Sequence, residues 1–343
     1  MLTTSCSSQV KPIELNNHEL KVALSGICFT LILRLRIAKI KQTIQLMNRH
    51  KVDLTIFTGD TKNGRSECTD QAIGENVINI FNQLKAPTLY TLGHNEWTDC
   101  HRASNGAYNP LERLNFLRTT FFNKETTQGM PPIRVERQGQ LGKAYSENSR
   151  FFKNNVEFVA LHIPGSNNNL IATKKQCTKK TGRSSRIWND GPVDECAAAT
   201  AEYEARNLQN MAWLKSSFTK ARTNNNAGIL IVIQADIFFP FELSDGGYQD
   251  DFLPSLNINN GYSDFFHTLV EETHNFPGQV LLVHGDSHYF KIDKAMYDDS
   301  GRLTANFTRV EVFGSEDNDW VKMTVDPKSE NVFSFTPVLL PRN

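Results

Sequence analysis

Four separate stretches of the sequence share one pattern, in which an apolar run of strand length leads directly into a polar loop. They are Val52–Asp60, Thr88–Glu96, Gly228–Asp236 and Val280–His288. Short apolar runs bounded by turn residues are typical of buried strands. Ligand sites of open α/β sheets lie beyond the carboxyl ends of the strands, so the four loops are expected to converge on one polar pocket.

The segments between these strands have the periodicity of amphipathic helices. Apolar residues recur at helical spacing in Ile37–His50, Gln71–Leu84, Asn109–Phe122 and Ala197–Arg222, and a shorter helix is predicted at Gly261–Glu272. Further strands are predicted at Val156–His162, Arg309–Phe313 and Trp320–Val325, whereas Met130–Ser149 has the polar, turn-rich composition of a loop. The alternation of strands and helices predicts an α/β fold with crossover helices.

Composition and charge exclude several functional classes. Lys plus Arg and Asp plus Glu each number 37, so no net field attracts nucleic acid or an anionic membrane. The apolar run Val22–Leu33 is shorter than the roughly 20 residues that span a bilayer, and its flanks do not suit a signal peptide. We therefore interpret this run as a buried strand and expect neither a membrane span nor a nucleic-acid partner.

Six cysteines leave the redox state open. None lies in a Cys-x-x-Cys pair, which argues against a zinc ribbon. Cys68 and Cys100 each follow one of the converging loops, and Cys177 and Cys196 bracket a polar loop that they could close. The segment Lys174–Pro192 is interpreted as an exposed loop or lid. Two disulfides would favour an oxidising, extracytoplasmic compartment. Unpaired buried thiols are the alternative, so the compartment stays undetermined.

The polar loops supply side chains that commonly bind metals. Asp60, His94, Asp236, Asp286 and His288 are contributed by the four strand ends. Divalent metals bind carboxylate oxygens and imidazole nitrogens that come from separate elements of a fold. A single Asp after a glycine is more often a turn residue or a helix cap, but the order and spacing of the whole set favour a metal site.

These motifs resemble those of the calcineurin-like metallophosphoesterases. That family carries Asp-x-His, then Gly-Asp with Asp or Asn three residues later, then Gly-Asn-His-Asp/Glu, a lone His after a later strand, and Gly-His-x-His. The matching segments here are Gly59-Asp60-x-x-Asn63, Gly93-His94-Asn95-Glu96 with its middle residues exchanged, Gln234-Ala235-Asp236 near the lone His, and Gly285-Asp286-Ser287-His288 with Asp for the first His. The resemblance extends from about Ile37 to Phe290.

The resemblance implies a four-layer α/β/β/α sandwich of two mixed sheets flanked by helices. It also implies one or two divalent metal ions, of manganese, iron or zinc type, that activate a water for hydrolysis of a phosphoric ester. Asp60 matches the bridging ligand and His288 a ligand of the first metal. The positions of His94, Asp236 (or Gln234) and Asp286 match ligands of the second metal.

The remaining roles are assigned to residues near these motifs. Asn95 stands where the family has its catalytic His and, as an amide, can only hydrogen-bond a phosphoryl oxygen or leaving group. His284 or His162 is the candidate for the missing proton transfer. Asn63, Arg65, Arg102 and His162 are the candidate substrate-binding residues for a phosphorylated small molecule or other phosphoester, and no protein partner is indicated.

The first motif of the family is missing. Asp-x-His is expected around Val22–Arg36, a stretch that holds neither Asp nor His. Residues 1–36 are therefore treated as an atypical N-terminal segment ahead of a metallophosphoesterase-like domain over 37–343. Three explanations stay open: a truncated or mis-assembled first strand, an enzyme with one metal, or a catalytically inactive relative that binds a ligand or a protein.

Overall fold

The computed structural model describes residues 19–26, 34–170, 193–238, 260–298, 300–314 and 318–341. In chain order its strands are β1 (Leu20–Ser25), β2 (Leu54–Phe57), β3 (Pro87–Tyr90), β4 (Gln128–Gly129), β5 (Glu136–Arg137), β6 (Ser149–Lys153), β7 (Val156–Ala160), β8 (Gly228–Val232), β9 (Gln279–His284), β10 (Lys291–Asp293), β11 (Phe307–Glu311), β12 (Trp320–Val325) and β13 (Phe333–Val338).

These strands form two mixed sheets. The first has the order β13-β12-β1-β2-β3-β4 and the second the order β10-β11-β9-β8-β7-β6-β5. In the first sheet β1, β2 and β3 are parallel neighbours, and in the second β7, β8, β9 and β11 are parallel. The outer strands pair antiparallel. The carboxyl ends of the four strands singled out in the sequence therefore lie at one edge of each sheet.

Helices cover the outer face of each sheet. The helices are α1 (Arg34–Arg49), α2 (Asn76–Phe81, entered through a π-helical turn at Gln71–Glu75), α3 (Pro110–Phe121), α4 (Val193–Thr223) and α5 (Ser263–His274). Apolar residues of α1 to α3 pack in one core with Phe57 and Tyr90 of the first sheet. Those of α4 and α5 pack in another with Ile229 and Leu282 of the second.

A third apolar core lies between the two sheets. Ile56 and Leu89 of the first sheet share it with Leu230 and Leu281 of the second. Successive residues of β8 thus face different cores, because side chains alternate across a strand, and both faces are apolar since both are buried. The layers are helix, sheet, sheet and helix, so the predicted four-layer α/β/β/α sandwich is confirmed.

Local sequence signals explain individual ends of elements. Helix α3 begins after Asn109, whose side-chain oxygen accepts hydrogen bonds from the amides of Leu111 and Glu112, and Pro110 occupies the first helical position. The hairpin between β6 and β7 turns at Asn154 and Asn155, both at positive φ, a conformation that asparagine tolerates well.

Several predicted boundaries differ from the structure. The first strand is Leu20–Ser25, earlier than the centre of the apolar run, and α1 begins at Arg34. The segment predicted as turns contains β5 and leads into β6. No described helix is long and apolar enough to cross a membrane. The segment Lys174–Pro192, with Cys177, lies outside the described residues.

Candidate metal centre

Four strand ends bring polar side chains to one place between the sheets. The loops after the parallel neighbours β2 and β3 carry Asp60 and His94. The loops after the parallel neighbours β8 and β9 carry Gln234 and Asp286. We refer to these four residues as the primary cluster.

The spacing within the primary cluster suits a divalent cation. One ligand atom each of Asp60, His94 and Asp286 lies within 4.8 Å of the others. His94 Nδ1 is 3.6 Å from Asp60 Oδ1 and 3.5 Å from Asp286 Oδ1. The Gln234 Oε1 atom is 3.3 Å from the same nitrogen. Ligands about 2.1 Å from a tetrahedral ion are about 3.4 Å from one another, so the donor set of oxygens and one imidazole fits such an ion.

Glu96 holds the first two loops together. Its Oε1 atom accepts hydrogen bonds from the amides of Asp60 (3.1 Å) and Gly93 (2.9 Å) and from the Tyr90 hydroxyl (3.0 Å). The chain turns at Gly59 with φ +85°, and a β-carbon there would lie 2.5 Å from the amide nitrogen of Gly93. Glycine is therefore required for the close approach of the two loops that positions Asp60.

Two hydrogen bonds orient the carboxylate of Asp60. Its Oδ1 atom accepts the backbone amide of Asn95 (3.1 Å), and its Oδ2 atom accepts Nε2 of Gln234 (3.1 Å). The second bond crosses between the sheets and joins the loops after β2 and β8. It also fixes the Gln234 amide, whose oxygen is thereby directed at His94.

Gly165 closes one side of the primary cluster. Its amide donates to Gln234 Oε1 at 2.6 Å. A β-carbon at this position would lie 2.5 Å from His94 Nδ1 and 2.7 Å from Asp286 Oδ2. The segment after β7 thus approaches the donor atoms of His94 and Asp286 so closely that any side chain larger than that of glycine would collide with them.

The electrostatics of the primary cluster favour a positive charge. Burial raises the pKa of Asp60 to about 7. Burial alone would lower the pKa of His94, but the carboxylates of Asp60, Asp286 and Asp99 raise it to about 9. The same arrangement of carboxylates that holds a proton on the imidazole would attract a metal cation in its place.

The second ring nitrogen of His94 faces a carboxylate outside the cluster. Its Nε2 atom is 3.6 Å from Asp99 Oδ2. Asp99 is 1% exposed and is held by the Arg102 guanidinium at 2.8 Å and the Ser166 hydroxyl at 3.0 Å. Metal-binding histidines commonly present their other nitrogen to a carboxylate, which fixes the orientation of the ring. The pair of Asp99 and His94 fits this arrangement.

Asn95 adjoins the primary cluster, and the predicted substrate-contacting residues Asn63, Arg65 and Arg102 lie in or beside the loop after β2. A β-carbon at Gly64 would lie 3.2 Å from Asn95 Oδ1 and 3.7 Å from Arg102 Nη1, so these two side chains flank the loop after β2. The side-chain oxygen of Asn63 accepts the amide of Arg65 (2.8 Å) and thus shapes that loop, while Arg65 itself is exposed. Asn95 is half-buried beside Asp60.

His162 lies in a different, fully buried environment. Its Nδ1 atom is 2.9 Å from Glu147 Oε1, and its ring packs against Trp97. Glu147 forms a two-pronged ion pair with Arg118. Burial lowers the pKa of His162 to about 4, so the ring is neutral. Its described contacts are those of a structural core.

Asp236 and His284 lie behind the primary cluster, together with Glu311. One ligand atom of each is within 4.8 Å of the others, and we refer to these three residues as the buried cluster. The two clusters adjoin, because the amide of Asp236 donates to Asp286 Oδ2 at 3.3 Å. His288 belongs to neither group; it is exposed, and its ring lies against Gly314.

The end of β1, where the missing first motif would stand, provides neither carboxylate nor imidazole. Strand β1 ends at Ser25, whose carbonyl oxygen accepts the amide of Thr58 at 3.1 Å. A β-carbon at the next residue, Gly26, would lie 2.8 Å from Val312 Cγ2. Neighbouring side-chain and backbone atoms fill this position, and residues 27–33 lie outside the described chain.

Sequence reasoning missed several residues that shape the site. The sequence motifs include Glu96 without predicting its role, and they offer Gln234 only as an alternative to Asp236. They predict no role for Asp99, Gly165 or Glu311. For Gln234, the usable signal is that it stands near the position of the family's lone His. For Glu311, the usable signal is an acidic residue at the end of a buried strand.

One predicted covalent link is present near these loops. Cys68 and Cys100 form a disulfide, which confirms the pairing considered from their positions after β2 and β3. Both residues are fully buried. The bond joins the loop that carries Asn63 to the segment that follows His94. Cys177 of the other predicted pair lies outside the described residues.

The sequence matches no protein-family profile and no curated protein. Its structure is similar to that of a dimetal phosphatase from Danio rerio, with 9% identity, a TM-score of 0.45 and coverage of 93% of this chain and 98% of that one. It is also similar to GAP50, the anchor in the inner membrane complex of Plasmodium, with 12% identity, a TM-score of 0.42 and coverage of 94% and 90%. A 5'-nucleotidase from Candida albicans matches with 12% identity, a TM-score of 0.35 and coverage of 94% and 51%.

These similarities concern the fold alone. The chain has two mixed sheets with flanking helices, and at one edge of those sheets it carries side chains able to hold a divalent cation.

Proposed function

We propose that this protein is a metal-dependent hydrolase of phosphoric esters. The observation that carries the proposal is the primary cluster, in which Asp60, His94 and Asp286 come from three loops and present their donor atoms within 4.8 Å of one another. Gln234 adds a fourth donor from the loop after β8. Such convergence at strand ends is where an α/β sheet builds its ligand site.

The residues of the primary cluster would hold the cation. A bound divalent cation supplies a Lewis acid that polarises a phosphoryl oxygen and lowers the pKa of a water. Asp60 contributes Oδ1 while its Oδ2 stays bonded to Gln234. His94 contributes Nδ1, and Asp99 keeps the ring oriented from the other side.

Two neighbouring side chains are suited to orient a phosphoryl group. Asn95 can donate its amide hydrogens to a phosphoryl oxygen or to the leaving oxygen. Arg102 is 28% exposed and carries a guanidinium, which can bind phosphate through two parallel hydrogen bonds. Because Arg102 also pairs with Asp99, substrate binding and the orientation of His94 would be linked through one carboxylate.

A second candidate function is a relative that binds a ligand or a protein without turnover. The observation that favours it is the stretch Val22–Arg36, which carries neither the Asp nor the His of the first motif. Asn95 in place of a catalytic histidine favours it too. Under this alternative the primary cluster still binds a cation, but no hydrolysis follows.

The test is hydrolysis by the purified full chain, with manganese or zinc added, of p-nitrophenyl phosphate and bis-p-nitrophenyl phosphate. The proposal expects turnover that Asp60→Asn abolishes and that Glu330→Gln, a change at an exposed carboxylate outside the site, leaves intact. Cation binding without turnover on either ester would favour the binding protein. Turnover that survives in Asp60→Asn would reject the site.

A further inference from the structure

The buried cluster combines two carboxylates and an imidazole in an apolar part of the second sheet. Glu311 ends β11 and is the direct register partner of His284, the last residue of the parallel strand β9. Asp236 reaches them from the loop after β8. Glu311 and His284 are 0% exposed and Asp236 is 4% exposed. Ionised groups this deeply buried cost several kcal/mol each unless an opposite charge compensates them.

The imidazole of His284 presents a lone pair to these carboxylates. Its Nδ1 atom is 3.0 Å from the carbonyl oxygen of Gly285, which can only accept, so Nδ1 carries the hydrogen. The other ring nitrogen, Nε2, is therefore the one that faces the carboxylates. This atom has no hydrogen-bond partner among the described residues and lies 4.0 Å from Asp236 Oδ1.

The Glu311 carboxylate is also left incompletely paired, whereas Asp236 accepts the Phe238 amide at Oδ1 (3.0 Å) and the Ser287 hydroxyl at Oδ2. Oε2 of Glu311 has no hydrogen-bond partner in the described part of the chain. The Ser287 hydroxyl lies between the two groups, 2.9 Å from Asp236 Oδ2 and 2.5 Å from Glu311 Oε1, but it can donate one hydrogen only. Among the described residues, no Lys or Arg forms an ion pair with either carboxylate.

We infer that the buried cluster is a second divalent-cation site, in which Asp236, Glu311 and His284 Nε2 are the protein ligands. Two carboxylates and one imidazole are a donor set that zinc, manganese and iron accept. A cation would use the bare lone pair and the unpaired carboxylate oxygen at once. Without one, burial raises the pKa of Glu311 to about 8, so that a proton partly compensates the charge.

This site would position the primary cluster rather than contact substrate. Its three ligands are buried, and the loop that follows His284, from Gly285 to His288, carries Asp286. Ser287 of that loop bonds both carboxylates, and the Asp236 amide bonds Asp286 Oδ2. A cation there would fix the loop and hence the direction of the Asp286 side chain.

The experiment counts bound metal in the full chain after dialysis against zinc, by elemental analysis. Wild type is expected to retain about two equivalents, and both Glu311→Gln and Asp60→Asn about one, since each site needs three protein ligands. Glu330→Gln is the matched control for loss of a carboxylate and should retain both equivalents. With cobalt in place of zinc, Glu311→Gln should lose one of two sets of visible absorption bands.

The outcomes separate this inference from the proposed function. Loss of one equivalent in Glu311→Gln supports the buried site, even if Asp60→Asn changes nothing and the primary cluster fails. Equal metal content in Glu311→Gln and wild type overturns it. Circular dichroism and thermal unfolding in a chelator check that the variant folds, and His284→Gln, which removes the imidazole and keeps both carboxylates, provides a second variant with the same expected loss.

Discussion

Removal of the Cys68–Cys100 disulfide should destabilise the protein by a calculable amount. The bond closes a loop with a sequence separation of 32. In the chain-entropy treatment such a link removes about 12 cal/mol/K from the unfolded chain, which corresponds to about 3.7 kcal/mol at 25 °C. We therefore expect Cys68→Ala/Cys100→Ala to lower the free energy of unfolding by about 4 kcal/mol, a large part of the 5–15 kcal/mol typical of a domain.

The assay is unfolding in urea at 25 °C, followed by tryptophan fluorescence, for wild type and the double variant. Addition of dithiothreitol to both proteins provides the control, because the bond is then absent from each and their curves should nearly coincide. The use of a double variant avoids a free thiol that could form a new bond. A difference below about 1 kcal/mol under oxidising conditions would refute the reasoning, since the loop entropy alone exceeds it.

Three further changes test the site and its surroundings. Asp99→Asn should weaken metal binding by about 10–100-fold in a calorimetric titration, because the carboxylate facing His94 is lost; unchanged affinity would contradict that role. Gly165→Ala should abolish metal binding, since the added β-carbon would lie 2.5 Å from a donor nitrogen, whereas Gly64→Ala, with its nearest contact at 3.2 Å, should retain it. His162 has a folded pKa of about 4 against 6.5, so its contribution to stability is present above pH 6.5 and is lost as the pH falls towards 4. Urea unfolding across this range should show about 3 kcal/mol less pH dependence in His162→Gln, and an unchanged slope would contradict the assignment.

The sheets could be predicted from the sequence where strands are buried on both faces. The apolar runs of β2, β8 and β9 are continuous because a sheet in the middle of four layers has no exposed side. Strands β5 and β13 carry no such signal. The first has only two residues, and the second is an edge strand in which only the first residue, Phe333, is buried.

The loop conformations limited prediction of the site. The sequence spacing does not show whether the side chain of Gln234 or that of Asp236 reaches Asp60. The regular alternation of side chains ends with β8 at Val232, and the backbone amides of residues 234 and 235 both donate to the carbonyl oxygen of Ile163. The path after β9 was equally hidden. Asp286 has a φ of +82°, which directs it to the primary cluster while His284, two residues earlier, faces Glu311.

The central claim is that the primary cluster holds a divalent cation, and the most direct measurement is an anomalous-difference map from crystals grown with manganese or zinc. We predict a peak about 2.1 Å from Asp60 Oδ1, His94 Nδ1 and an oxygen of Asp286. A map with no peak at these atoms, from crystals of protein loaded with the metal, would contradict the account.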